Sequence, residues 1–194
     1  MHMAKKYEFK PDKPRSGWLS KLHITQLQRR AILKWFLYGV ILLVLSLLQD
    51  VILCHLRIFG VTTDLVPCAI ILITILEGTQ SGCSFALICA CLYWFSGSAP
   101  GPYAMVLITF LSILASMFRQ GYLQTGLSAA LLCTGLAMVL YELGIFAFGM
   151  FLGLTHWVRL GGFCLTAALS MLSAPILYPI LLSTQSIGGK TWKE

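Results

Sequence analysis

The chain has 194 residues, 58% of them apolar and only 11% charged, with a formal net charge of +7 and a mean hydropathy of +0.82. That is too little polar surface to cover a water-soluble globule of this length, so the composition points to an integral membrane protein. Polar and apolar residues do not alternate at period two, which argues against a β-barrel and for an all-α, polytopic protein whose helices satisfy their own backbone.

Residues 1–34 form an arm of different character. Lys5, Lys6, Lys10, Lys13, Arg15, Lys21, Arg29, Arg30 and Lys34 face only Glu8 and Asp12, so 9 of the 14 basic residues precede the first apolar run. A basic block beside a span reads as cytoplasmic. Its first half, with Pro11 and Pro14, lacks the apolar content to fold alone. From Ser16 onward, apolar residues interleave with Lys21, Arg29 and Arg30, giving either an interfacial helix on anionic lipid or a solvated tail. Nucleic-acid binding is a poor reading of the charges, because they abut a membrane segment.

Six apolar segments follow: Trp35 to Leu53, Leu65 to Leu76, Ser84 to Phe95, Tyr103 to Phe118, Leu123 to Phe146 and Val158 to Leu182. The expected plan is a bundle of about six transmembrane helices over residues 35–183, with a short tail over 184–194 and both termini cytoplasmic. This topology puts 12 basic residues inside and leaves Arg57 and Arg159 outside, as the charge rule requires. The second and third segments are short, and could be partly re-entrant. Residues 146–154 either continue the fifth segment or lie in the interface. No cleavable signal is evident.

The stretch from Asp64 to Arg119 organises the rest. An unbroken helix from Leu65 to Phe95 would be about half as long again as the ~30 Å hydrocarbon core. The chain must therefore turn between Glu77 and Gly82, where Gly78 and Gly82 ease the bend and Thr79, Gln80 and Ser81 supply polar side chains. Ser96 to Pro102, with Gly97, Pro100, Gly101 and Pro102, is the return turn on the opposite side. Asp64, with Pro67 in the following turn, reads as the N-cap of the second segment.

Chemistry-bearing motifs are sparse. The seven cysteines are scattered without a C-x-x-C, no histidine stands at ligand spacing, and no hydrolase, metalloprotease or phosphate-loop signature occurs. No catalytic, cofactor or metal site is expected. Ionisable residues near the membrane are the default functional candidates. Asp50, Arg57, Asp64 and Glu142 fall on the outer side of this topology, and Glu77 and Arg119 on the inner side, where they are expected to pair. All are read at helix edges, as caps or structural pairs. Gly78 with Gly82, Ser112 with Ser116, and Gly149 with Gly153 stand four apart and allow close helix approach, within the chain or to a partner.

Several of these residues also occur in a familiar order. Gln49 ends the first segment, Phe59-Gly60-Val61-Thr62-Thr63-Asp64-Leu65 enters the second, Glu77-Gly78 and Gly82 mark the inner turn, and Ser96-Gly97, Gly101 and Tyr103-Ala104 mark the outer one. From about Phe36 to Leu182 this order resembles the rod shape-determining MreD family, small polytopic subunits of the bacterial cell-elongation machinery. Thr63 stands where that family often has proline, and Tyr93 where it usually has aspartate. The resemblance implies a non-enzymatic protein of the bacterial cytoplasmic membrane. Its implied partners are the lipid bilayer, the membrane-anchored MreC and, indirectly, the MreB filament and the peptidoglycan synthases. Gln49, Asp64, Glu77, Gly78, Gly82, Gly97, Gly101, Arg119 and Glu142 are the candidate structural or partner-contact residues. The layout is also similar to that of substrate-binding subunits of vitamin transporters. A solute binder would need polar groups converging mid-membrane, where the sequence offers Thr74, Thr109, Ser112, Thr134 and Thr166 and no charged residue.

Overall fold

A computed structural model describes residues 26–53, 55, 60–122 and 126–187; the arm before Gln26, Arg57, Lys190 and Lys193 lie outside the described residues. It is a bundle of six α-helices: α1 (Gln26–Leu47, continued by a π-helical turn Leu48–Leu53), α2 (Leu65–Glu77), α3 (Thr79–Phe95), α4 (Pro102–Tyr122), α5 (Leu127–Phe151) and α6 (Leu160–Ile187). No β-strand occurs among the described residues. Among the described residues four segments are long and apolar enough to cross a membrane: Gln28–Leu53, Pro102–Gly121, Leu127–Phe151 and Trp157–Ile187. α2 and α3 have 13 and 17 residues, about 20 and 26 Å of helix.

The shortness of α2 follows from how it is bounded. Pro67 sits in its first turn, where a missing N–H breaks no intrahelical bond. Its far end is set by Gly78, whose φ of 85° lies in the left-handed region that glycine adopts without a Cβ penalty. The Gly78 N–H closes the helix on Thr74 O at 3.0 Å, and α3 begins at the next residue. The turn is therefore one residue wide, and Gly82 lies inside α3 rather than in a loop.

α2 is apolar on all sides, and Val66 through Glu77 are buried, as expected for a helix with no solvent- or lipid-facing stripe. It touches each of the other five helices. Around it the order is α1, α6, α5, α4, α3, each packed on the next. Close approach of α2 and α3 depends on Gly82: a Cβ there would stand 2.9 Å from Thr74 Cα and Cγ2. The outer surface is apolar, with Phe36, Leu43, Leu92, Leu132, Leu172 and Ile176 all more than half exposed.

The ring opens between α1 and α3. Trp35 and Tyr38 meet Phe85 at one end of this opening, and Gln49 bonds Tyr93 at the other. Between them lies an apolar groove of about 320 Å³ walled by Leu42, Leu43 and Leu47 of α1 and Leu92 of α3, and floored by Val66 and Ile70 of α2.

Candidate functional site

The two ends of α2 gather the ionisable residues. At the Glu77 end, Lys34 of α1 forms an ion pair with Glu77, and both side chains are at most 4% exposed. Tyr38, one turn along α1, donates to Glu77 Oε1 at 2.8 Å. A buried carboxylate requires this kind of direct pairing, since removing an ion from water costs several kcal/mol. The last carbonyls of α2 find partners on other helices: Arg119 Nη1 donates to Ile75 O at 2.6 Å and Gln185 Nε2 to Leu76 O at 2.7 Å. Cationic Arg119 also faces the negative end of the helix dipole. The expected Glu77–Arg119 pair is not what forms. Lys34 reaches Glu77 from α1, and Arg119 serves the backbone of α2.

At the opposite end of α2, the cap is Gln49. Its Oε1 accepts from Val66 N at 3.0 Å, satisfying one of the donors that a helix N-terminus leaves free, and its Nε2 donates to Tyr93 OH at 3.2 Å. Tyr93 thus joins a hydrogen bond between α1 and α3 at the position where the resembled family usually has aspartate. Asp64 occupies the N-cap position but its side chain makes no capping bond. The geometry is wrong for it: with the Asp64 N–H on Ser170 Oγ at 2.8 Å, its carboxyl comes within hydrogen-bonding reach of Glu142 on α5.

Glu142 is 4% exposed. It lies nine residues before the end of α5 at Phe151, about 14 Å along the helix. The expectation that every ionisable group sits at a helix edge therefore fails here, because α5 runs on through residues 146–151 and carries Glu142 inward. Because α2 is short, the space beyond its N-terminus is open. It forms a cleft of about 300 Å³ lined by Asp64, Glu142, Tyr103, Thr155, Phe163 and Thr166, among others. A wider cavity of about 710 Å³ adjoins it, sharing Thr62, Phe163 and Thr166 and holding Arg159.

The cleft wall comes from four local features. Gly149 is bare because Thr155 folds back over it; a Cβ would stand 2.8 Å from Thr155 Oγ1. Tyr103 stacks on Phe148 with ring centres 5.6 Å apart. Gly97 (φ 78°) turns the chain after α3, and Ser98 Oγ donates to Asp50 Oδ2 at 2.7 Å, fastening that turn to the end of the first helix. Gly101 accommodates the Tyr103 ring, 2.5 Å from where a Cβ would be. Gly82 and Gly101 thus serve contacts inside the chain, and Gly78 and Gly97 the turns themselves.

Six buried side-chain oxygens among the described residues have no hydrogen-bond partner, and two of them, on Glu142 and Thr155, belong to residues lining the cleft. No group of three potential metal ligands occurs among the described residues. Lys34, Tyr38, Ser170 and Gln185 are the functional residues that sequence reasoning missed. The only signal for the first two was their spacing of four, which puts a cation and a phenol on one helix face. Comparison with protein-family models, with curated proteins and with solved structures finds no match.

Proposed function

We propose that this chain is a non-enzymatic subunit of the bacterial cell-elongation complex, working by helix contact in the cytoplasmic membrane. In this reading all six helices belong to the membrane domain, the Glu77 end faces the cytoplasm and the Ser98 end faces outward. The resemblance to the MreD family motivates it, and the open groove between α1 and α3 is the observation that supports it best. A helix from a membrane-anchored partner such as MreC fits a lateral apolar slot of this kind. Gly39 and Ser46 both line the slot from α1. A Cβ at Gly39 would meet nothing within 4 Å, so the small residue leaves room that none of the described residues fills. In lipid such openings are filled by packing rather than by hydrophobic drive, and small residues are what permit it.

Gly39→Phe tests the slot. It should leave insertion and detergent stability unchanged while reducing recovery of MreC from cross-linked membranes and disturbing rod shape. Normal shape and full recovery would overturn the proposal. Orientation is tested separately by single-cysteine labelling in a background lacking the native cysteines: Ser98 and His156 should label from outside, Gln80 and Gln120 only from inside.

A second reading, a small-molecule-binding membrane subunit of a vitamin-type transporter, is favoured by one observation. The cleft beyond α2 is lined by two carboxyls, and one of them, Glu142, lies nine residues inside the end of α5. Depletion that abolishes uptake of a vitamin-like solute while wall synthesis continues normally would select this reading over the first.

A further inference from the structure

We propose that the connection between α5 and α6, residues 151–158, is an interfacial anchor that docks on the phospholipid headgroup layer. The inference goes beyond the reading above and holds for a scaffold or a carrier alike, because it rests only on the chain lying in a bilayer.

α5 and α6 both belong to segments long enough to cross a membrane, so the connection between them lies at a membrane boundary. A connection that faced water there would be small or polar. The chain shows this at the same end of the bundle, where residues 96–101 read Ser-Gly-Ser-Ala-Pro-Gly, and Ser98 and Pro100 line the same cleft as Leu154 and Thr155. Residues 151–158 are the opposite. Among the described residues, nothing covers Phe151, Leu154 or Trp157, which are 88, 67 and 71% exposed. An apolar patch of this kind marks a membrane or partner contact. The connection is also ordered by its own backbone. Gly153 turns the chain at φ 71°. Its N–H donates to Met150 O at 3.0 Å and the Leu154 N–H to Gly149 O at 2.8 Å. A 3-10 turn over Trp157–Arg159 then leads into α6.

Two observations identify the lipid interface as the occupant. Leu132, Leu136, Leu140, Leu143, Ala147 and Phe151, three or four residues apart, are exposed on one face of α5. The face that meets lipid tails therefore runs without a break into the connection, whereas a soluble partner would have to end its contact where the tails begin. The second observation is the order of chemistry along the connection. Trp157 packs one edge on Phe146, with ring centres 5.9 Å apart, and is flanked by exposed His156 and Arg159. No acidic residue occurs between Glu142 and Glu194. An amphipathic ring beside a cation, with no carboxylate to repel phosphate, is the chemistry of headgroup level. Seated there, the connection sets the depth and tilt of α5, as interfacial anchors do.

The test reads Trp157 in the full chain reconstituted in phospholipid nanodiscs, which expose both faces of the bilayer to solutes. The fluorescence lost in Trp157→Phe isolates its signal from those of the other tryptophans. That signal should be quenched by phospholipid brominated on the acyl chain near the headgroup, and less by aqueous iodide. Phe151→Trp, made in the Trp157→Phe background, should respond in the same way, and Pro100→Trp in that background should be quenched by iodide instead. The proposal is overturned if iodide quenches the Trp157 or the Phe151→Trp signal at least as well as the brominated lipid does, which would make the connection a water-facing surface open to a soluble partner. It is equally overturned if neither quencher reaches them, which would mean that protein covers the connection, or if Pro100→Trp responds as they do.

Discussion

The two ends of α2 solve opposite problems with the same kinds of residue. At Glu77 a buried carboxylate is met by an ammonium and a phenol, and the helix's last carbonyls by Arg119 and Gln185. At Asp64 two carboxyls, those of Asp64 and Glu142, line one cleft together with Thr155, whose hydroxyl has no hydrogen-bond partner. The difference lies in what closes over each end. Long side chains from α1, α4 and α6 converge on the Glu77 end, whereas nothing among the described residues fills the space that the short α2 leaves at the other. A completed network of this kind fixes structure.

The largest expected effect breaks the completed end. Lys34→Met leaves Glu77 buried without its cation and should cost about 3–5 kcal/mol in detergent unfolding. Lys34→Met combined with Glu77→Leu should recover most of that loss, since two apolar residues in place of a buried pair are often neutral. A single-variant loss below about 1 kcal/mol would mean that the pair is hydrated and that the end is not closed.

Next is the helix contact that holds α2 and α3 together. Gly82→Leu drives a side chain into the backbone of Thr74 and should destabilise by about 1–3 kcal/mol, while Gly39→Leu, in open space, should stay within about 0.5 kcal/mol. Equal effects at the two glycines would contradict the distinction between a contact already made within the chain and a slot left open. The Gly82 contact also means that a Gly82 variant cannot report on partner binding, because the bundle itself changes first.

Much of this arrangement was legible before any coordinates. The need for a turn near Gly78 follows from length alone, and Glu77 and Gln49 stand out as polar residues at the ends of apolar runs. What the sequence did not show is partnership across the bundle. Lys34 lies 43 residues from Glu77 and reads naturally as the last member of the basic arm; only the packing of α1 on α2 brings it to the carboxylate. The depth of Glu142 was hidden for a different reason. Residues 146–154 have the composition of either a helix or an interface, so the end of α5, from which depth is counted, was ambiguous. Gln49 could be singled out, but its task could not, because a side-chain cap delivered from another helix leaves no local pattern like that of an N-cap residue.

A smaller effect is expected where α2 begins. Gln49→Leu removes the acceptor for Val66 N–H and the donor to Tyr93, and should cost about 1–2 kcal/mol, the usual scale for losing a cap. Hydrogen exchange should then rise at the first turn of α2 before it rises at Gly78. Uniform acceleration along α2 would show that the cap stabilises the whole helix rather than its end.

The smallest effect is also the one that separates the two ends most sharply. Glu142→Gln preserves shape and removes a charge. If Glu142 were a structural partner in the manner of Glu77, its loss would destabilise the bundle by several kcal/mol, because a paired group would be left buried and alone. Glu142 instead faces another carboxyl, and two buried carboxyls side by side share one proton. Glutamine keeps a donor toward Asp64 in place of that proton, so the protein should change by less than about 1 kcal/mol. A loss comparable to that of Lys34→Met would make the Asp64 end a second structural clamp and remove the asymmetry that distinguishes the two ends of α2.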